Sequence, residues 1–136
     1  MSTVTPHDFI TIADELINDS CSIKIRTAVG RGYYGAFHAA KEFHDQLPTP
    51  GTLQADRDGG GMHEQLIQRL ENPTLGRTHA LWLRSKSVGT MLRRVRGERT
   101  HADYHLTKPY NKEQAEDALE KAKTIIAKSL PSPAIE

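Results

Sequence analysis

The sequence has one cysteine among its 136 residues and no long apolar run. A single thiol excludes an internal disulfide and a thiolate metal cluster, and Cys21 is expected to be a small hydrophobic side chain on a helix face. No stretch approaches the roughly 18 apolar residues of a membrane-spanning helix. The N-terminal residues lack the basic and apolar blocks of a signal peptide, so the sequence predicts a cytoplasmic protein without a membrane partner.

Strand periodicity, internal repeats and the common catalytic motifs are also missing. Residues 59–61 are three glycines, but no lysine follows them and no strand precedes them, which excludes a phosphate-binding loop of the usual kind. No serine stands in a nucleophile elbow. His101 and His105 flank Asp103, yet a zinc site needs three or four converging ligands in an established spacing. Neither a metal nor another cofactor is therefore predicted.

Apolar residues at helical spacing predict five amphipathic helices. They are expected to begin after Thr5, after Ser20, at Met62, near Arg77 or His79, and after Asn111. Capping boxes are expected at the first and the last of these, where an acid or amide stands three residues after the cap. The sequence thus predicts one all-α domain over residues 1–130, an up-and-down bundle of four to five helices, and a disordered tail over 131–136.

Glycine and proline mark two special segments. Residues 47–61 hold two prolines and four glycines with almost no apolar side chains, so an exposed, mobile loop is expected there. Gly30, Gly32 and Gly35 lie within the second helix, where each costs roughly 1 kcal/mol relative to alanine. They indicate either the close approach of a neighbouring helix or a kink.

Ionisable side chains are concentrated in residues 96–106, where the apolar stripe of the fourth helix should continue. Helical spacing gives Arg99 a core-facing position, and Asp103 lies one turn further on as its natural partner. One interpretation is a buried Arg99–Asp103 pair that closes the helix end, with His101 and His105 in solvent. The other is a functional site.

A basic segment leads into this stretch. Six lysines and arginines lie between Arg84 and Arg99 against one acid, Glu98. Such a run is either a solvated helix face or a surface that binds phosphate. Cleavage of RNA without a metal requires a base, an acid and a cation beside the phosphoryl oxygens. Histidine titrates near neutral pH and arginine binds phosphate through a planar fork, so the stretch has the right residue types.

Two motifs resemble the signatures of small bacterial and archaeal HEPN-domain proteins (higher eukaryotes and prokaryotes nucleotide-binding). Arg31-Gly-Tyr-Tyr-Gly-Ala-Phe-His-Ala-Ala40 is similar to Arg-x-Tyr-Tyr-Ala-x-Phe-His-Ala-Ala, and Arg99-Thr-His-Ala-Asp-Tyr104 is similar to Arg-x-x-Ala-Asp-Tyr. His63, which opens a short helix after a glycine-rich loop, also matches. The resemblance covers about residues 6–128 and implies a HEPN-like bundle of four or five helices that forms a homodimer.

The resemblance further implies a metal-independent ribonuclease site where two protomers meet. Its motif is an arginine followed, after a short gap, by a histidine. Arg99 and His105 satisfy the motif, and so do Arg96 and His101. We prefer Arg99 and His105, since the Ala-Asp-Tyr signature contains Arg99. The chain departs from active relatives at Thr100, where asparagine is usual.

Roles follow from this implied chemistry. Arg99 is expected to hold the scissile phosphate, His105 to act as general base or acid with its counterpart from the second protomer, and Asp103 to orient Arg99 or a histidine. Four more side chains are expected to contribute to binding: Arg96, His101, Tyr104 and Tyr34.

The second helix offers further candidates. Tyr33 and Tyr34 are alternatively plain core aromatics. Arg31 and His38, seven residues apart on one face of that helix, are expected either to back the site or, preferably, to pair with acids within the bundle.

Two functions remain open. The first is an endoribonuclease of toxin or phage-defence type, held inactive by a partner such as a nucleotidyltransferase-type antitoxin. The second is a non-catalytic HEPN module that binds nucleotide or RNA, or a dimeric adaptor for a partner protein. His105 favours the first, whereas Thr100 and a net charge of only +1 favour the second.

Overall fold

The computed structural model describes residues 3–54 and 60–130 and contains five α-helices. They are α1 (Pro6–Ile17), α2 (Ser22–Asp45), α3 (Met62–Glu71), α4 (Ala80–Tyr104) and α5 (Lys112–Ser129). The described ranges contain no strand, and the predicted all-α bundle is confirmed. None of these helices combines the length and the apolar character needed to cross a bilayer. The predicted tail, 131–136, lies outside the described residues.

Helix α2 is the central element, because α1, α4 and α5 all pack against it, while α3 packs mainly on α4. Its glycines explain how the neighbours come so close. A Cβ atom on Gly35 would lie 2.8 Å from the carbonyl oxygen of Pro6 and 3.1 Å from Cβ of Phe9, and one on Gly32 would overlap the side chain of Leu119. Close approach of a neighbouring helix is therefore confirmed at Gly32 and Gly35, and α2 continues without interruption through all three glycines.

The core has two parts. The larger cluster joins α2, α3, α4 and α5, and its fully buried members include Tyr33, Ile67, Leu70, Leu92 and Ile125. The smaller cluster gathers around the C-terminal end of α4 and includes Ala28, Val29, Ala102, Tyr110 and Leu119. The burial of Ala102 shows that α4 still faces the core in its last turn, as the continuing stripe predicted.

The helix starts are mostly as predicted. Thr5 and Asn111 carry the expected capping boxes with Asp8 and Gln114. Of the two predicted starts for α4, the structure selects His79, whose Nδ1 accepts a hydrogen bond from the backbone N–H of Leu81 at 3.1 Å.

The start of α2 requires two corrections. Its N-cap is Cys21 and not Ser20, and Cys21 is exposed, so the prediction of a thiol on a helix face was wrong. The cause is Asp19, whose carboxylate accepts the backbone N–H of Cys21 at 2.8 Å and the Lys24 ammonium at 2.9 Å. These bonds stabilise one more residue of turn before the helix begins.

A buried arginine that sequence reasoning missed holds the C-terminal end of α4. Arg26 is only 7% exposed. Its guanidinium donates to the carbonyl oxygens of Ala102 at 2.8 Å, His105 at 3.4 Å and Lys108 at 2.6 Å. The last carbonyls of a helix have no partner within it, so Arg26 caps α4 and fixes the turn that follows.

The first half of the predicted 47–61 loop is anchored. Gly51 is buried, its N–H donates to Nε2 of His44 at 3.0 Å, and its carbonyl accepts from Arg69 at 2.9 Å. A Cβ atom here would overlap the backbone of Arg69, so only glycine fits. The expectation of exposure along the whole loop was therefore wrong at Gly51. Residues 55–59 lie outside the described part.

We expect the anchoring of Gly51 to depend on pH. Burial lowers the pKa of His44 below its usual value near 6.5, and the bond from Gly51 requires a neutral imidazole. This stabilisation is complete above about pH 6.5 and is lost as the pH falls through the lower, folded-state pKa. The protection factor of the Gly51 amide against hydrogen exchange should therefore fall between pH 7.5 and pH 5.

His44→Gln is the matched variant, because the amide oxygen of glutamine can accept the same bond but does not titrate. Its Gly51 protection factor should change little over this pH range. A wild-type protection factor that stays constant from pH 7.5 to pH 5 would contradict the assignment.

Candidate functional site

The C-terminal part of α4 presents its ionisable groups on two different sides. Relative to Arg99, Asp103 is displaced by about 40° around the helix axis and His101 by about 200°. His105 is the C-cap residue and lies just beyond the helix. Arg99 and Asp103 therefore share a face that His101 does not.

Arg99 lies at the centre of the first side. Its Nε donates to Oδ2 of Asp103 at 2.9 Å, and the side chain is 21% exposed. The predicted Arg99–Asp103 pair is present, but it is not buried, because Asp103 is exposed. The guanidinium also lies 5.5 Å from the ring centroid of Tyr34 and 5.8 Å from that of Tyr104, with a long hydrogen bond of 3.4 Å to the Tyr34 hydroxyl. These distances are those of cation–π contacts.

A second guanidinium approaches the same tyrosine from α2. The Arg31 group lies 5.1 Å from the Tyr34 centroid and 6.0 Å from that of Phe9 on α1, and His38 stacks on Phe9 at 5.7 Å. Among the described residues, the contacts of Arg31 and His38 are thus with aromatic rings and not with the acids that we expected. The reason is that α1 places Phe9 beside this face of α2. Tyr34 consequently has two cations within 6 Å of its ring.

Arg96 belongs to an ion-pair network between α3 and α4. Its Nη1 donates to Oε1 of Glu64 at 3.1 Å, and Arg93 donates to both Glu64 oxygens at 3.0 Å and to Glu71 at 2.8 Å. The hydrogen bonds from Arg93 hold the pKa of Glu64 below its usual value. Part of the basic segment therefore ties two helices together.

Sequence reasoning missed the acids of this network. The available signal was the spacing of Glu64 and Glu71, seven residues and two turns apart on one face of α3. That face meets the basic segment of α4.

His63 is placed against the aromatic side chains of α2. Its Nδ1 lies 2.5 Å from the Tyr33 hydroxyl, and its ring stacks on Phe37 with centroids 4.1 Å apart. Burial lowers the pKa of His63, and the charges of Arg96 and Arg99 lower it further. His63 is therefore a neutral imidazole near the site cations at physiological pH.

His101 and His105 form a separate group with Tyr110. The two imidazole rings are 5.3 Å apart, and the ring of His101 is also 5.3 Å from that of Tyr110, whose hydroxyl donates to Glu98 at 3.0 Å. Nε2 of His101 is buried without a hydrogen-bond partner in the described part of the chain. Within one protomer, the structure does not bring His105 into contact with Arg99 or His101 into contact with Arg96.

Family models, curated proteins and solved structures gave no match to this chain. In residues 3–54 and 60–130, no three His, Cys, Asp or Glu side chains converge as a metal site. The side of α4 that carries Arg99 has guanidinium groups, exposed or half-buried aromatic rings and a neutral imidazole close together. Such a set suits a ligand that carries both phosphate groups and flat bases.

Proposed function

We propose that the protein is a HEPN-type, metal-independent endoribonuclease of toxin or phage-defence type that acts in the cytoplasm as a homodimer. The observation that carries the proposal is that two guanidinium groups, those of Arg31 and Arg99, lie within 6 Å of the Tyr34 ring. Arginine binds phosphate through its planar fork, and aromatic rings stack on bases in single strands. Tyr104, 66% exposed beside Arg99, offers a second stacking surface.

The proposed reaction uses the 2′-hydroxyl of RNA as its nucleophile. A base takes the 2′-hydroxyl proton, the 2′-oxygen attacks phosphorus, and the bond to the 5′-oxygen breaks as an acid protonates that oxygen. The products are a 2′,3′-cyclic phosphate and a 5′-hydroxyl. Arg99, oriented by Asp103, stabilises the negative charge that develops on the phosphoryl oxygens.

The general acid or base is His105 of a second copy. Within one protomer His105 makes no contact with Arg99, so this reading requires two chains. Support comes from the end of α4 and the turn after it, where Tyr104 and Leu106 on either side of His105 are 66% and 68% exposed. Clustered apolar exposure is typical of surfaces that a partner covers. A nucleotidyltransferase-type antitoxin or another regulatory partner would hold the enzyme inactive.

The test is RNA cleavage in the presence of a chelator, with analysis of the product ends. We expect cleavage to persist in EDTA and to leave 2′,3′-cyclic phosphates. His105→Ala should lower the rate by about 10² to 10⁴-fold, as is usual for an acid–base group. His101→Ala is the matched control, because it makes the same change at the neighbouring histidine. It should lower the rate less than His105→Ala does.

A larger loss of rate in His101→Ala than in His105→Ala would assign the site to Arg96 and His101 instead. Circular dichroism must show that each variant is folded. If the wild-type protein, purified away from any partner, cleaves no RNA with or without divalent ions, the ribonuclease proposal is refuted.

The second candidate is a non-catalytic HEPN module that binds nucleotide or RNA, or a dimeric adaptor. The observation in its favour is that both candidate arginines already have carboxylate partners, Arg99 with Asp103 and Arg96 with Glu64. A protein that binds single-stranded RNA and leaves it intact would establish this function.

A further inference from the structure

His63 is held in one orientation from two directions. Its ring is nearly parallel to that of Phe37, with an interplanar angle of 15° and centroids 4.1 Å apart, and the Tyr33 hydroxyl lies 2.5 Å from Nδ1. Turning the ring over would break this hydrogen bond. The position of the other ring nitrogen, Nε2, is therefore fixed as well.

Tyr33 also determines which nitrogen of His63 carries the proton. Tyr33 is fully buried, and burial raises its pKa to about 12, so the hydroxyl keeps its hydrogen. Within the described residues, Nδ1 of His63 is the one hydrogen-bond partner of that hydroxyl. A buried hydroxyl must donate to an acceptor, so Nδ1 accepts and the proton of the neutral imidazole is on Nε2. Nε2 itself makes no hydrogen bond to the described residues.

The His63 ring lies beside the same tyrosines as the candidate arginine Arg99. The rings of Tyr33 and Tyr34 lie 5.6 and 6.3 Å from that of His63, and they lie 5.9 and 5.5 Å from the Arg99 guanidinium. The two tyrosines are thus common neighbours of His63 and Arg99. A neutral donor is not repelled by the neighbouring arginine. It adds a hydrogen bond at a place where a charged imidazolium would be unfavourable.

We propose that His63 is a phosphate-binding residue of this site, whose Nε2–H donates to a phosphate oxygen of a single-stranded RNA held by Arg99. Tyr33 is the positioning residue that maintains this tautomer. The inference rests on the proposed RNA ligand, but it does not require that the RNA be cleaved.

The test is binding of a short, fluorescein-labelled 2′-O-methyl oligoribonucleotide, which lacks the attacking hydroxyl, measured by fluorescence anisotropy. His63→Phe keeps an aromatic ring on Phe37 but removes both nitrogens, and it should weaken binding about tenfold, as expected for one hydrogen bond to a charged acceptor. His63→Gln keeps a donor near the place of Nε2 and should retain most of the affinity. His7→Phe, at an exposed histidine of α1, is the matched control and should bind as the wild type does.

Wild-type affinity in His63→Phe would overturn the proposal, and so would an equal loss in His63→Phe and His63→Gln. Absence of any binding to the wild-type protein would overturn it too. A second measurement applies even if His63→Phe does not fold. Nitrogen-15 NMR of the wild type should show Nδ1 unprotonated and should show the Nε2 resonance shifting as RNA is added. An unchanged resonance at saturation would refute the contact.

Cleavage of unmodified RNA is scored separately. A protein that shows the predicted binding pattern and cleaves nothing would support this subsite while refuting the ribonuclease proposal.

Discussion

Replacing Arg99 with alanine is expected to lower the rate of RNA cleavage by about 10² to 10³-fold, the usual cost of removing a preoriented group that stabilises developing negative charge. The expectation rests on how firmly Arg99 is held. Asp103 binds its Nε at 2.9 Å, and three tyrosine rings lie within 6 Å of its guanidinium. Single-turnover cleavage of a labelled RNA measures the effect.

Arg94→Ala is the matched control, since it removes the same charge from an exposed position of the same helix. Its rate should stay close to that of the wild type. An equal loss in Arg94→Ala would mean that the overall positive charge of α4 matters and not the placement of Arg99. Folding of Arg99→Ala must be checked, because the change leaves Asp103 without its partner.

Mixing two inactive variants tests whether the site is shared between protomers. In a mixed dimer of Arg99→Ala and His105→Ala chains, one of the two shared sites keeps both an intact Arg99 and an intact His105. Part of the activity should therefore return after subunit exchange. No recovery in a confirmed mixed dimer would contradict a site built from Arg99 of one chain and His105 of the other.

Local contacts of this protein were predictable from the sequence. The Arg99–Asp103 pair and both capping boxes join residues only three or four positions apart, and helical geometry dictates such neighbours. The glycines of α2 were equally informative. A glycine costs stability inside a helix, and Gly32 and Gly35 are retained where α5 and α1 leave no room for a Cβ atom.

Contacts between distant helices were not predictable in this way. The bond of Arg99 to Tyr34 joins residues 65 positions apart, and Arg26 reaches carbonyl groups 76 to 82 positions away. Apolar periodicity shows which face of a helix is buried but not which neighbour covers it. Arg31 illustrates the limit, since its expected acidic partner was replaced by the ring of Phe9.

The side of α4 on which His101 lies could have been predicted from helical geometry. The candidate pairs were chosen by separation along the chain, whereas each residue of a helix turns by about 100°. Applied to the candidate pair Arg96 and His101, which are five residues apart, that rotation already predicts that the two side chains point about 140° apart around α4. His63 is far from Arg99 along the chain, yet α3 brings it beside the tyrosines that also contact Arg99.

Replacement of Arg26 with methionine is expected to lower the free energy of unfolding by roughly 3 kcal/mol or more, since hydrogen bonds from a charged donor contribute about 1.5 to 3 kcal/mol each and buried acceptors would be left unpaired. The carbonyl groups of Ala102, His105 and Lys108 lose the Arg26 donor at once, although that of His105 keeps a hydrogen bond from the backbone N–H of Lys108. Methionine fills a similar volume, so the loss reports the hydrogen bonds more than a cavity. Equilibrium unfolding in urea measures it.

Arg94→Met gives the comparison, because Arg94 is exposed and a surface substitution usually changes stability by less than about 0.5 kcal/mol. Arg26→Lys should fall between the two variants, since one ammonium group cannot reach all three carbonyls that the planar guanidinium spans. Equal stability of Arg26→Met and Arg94→Met would refute the capping role. If that role is correct, Arg26→Met should also raise hydrogen exchange first in the turn after α4, because Arg26 connects that turn to α2.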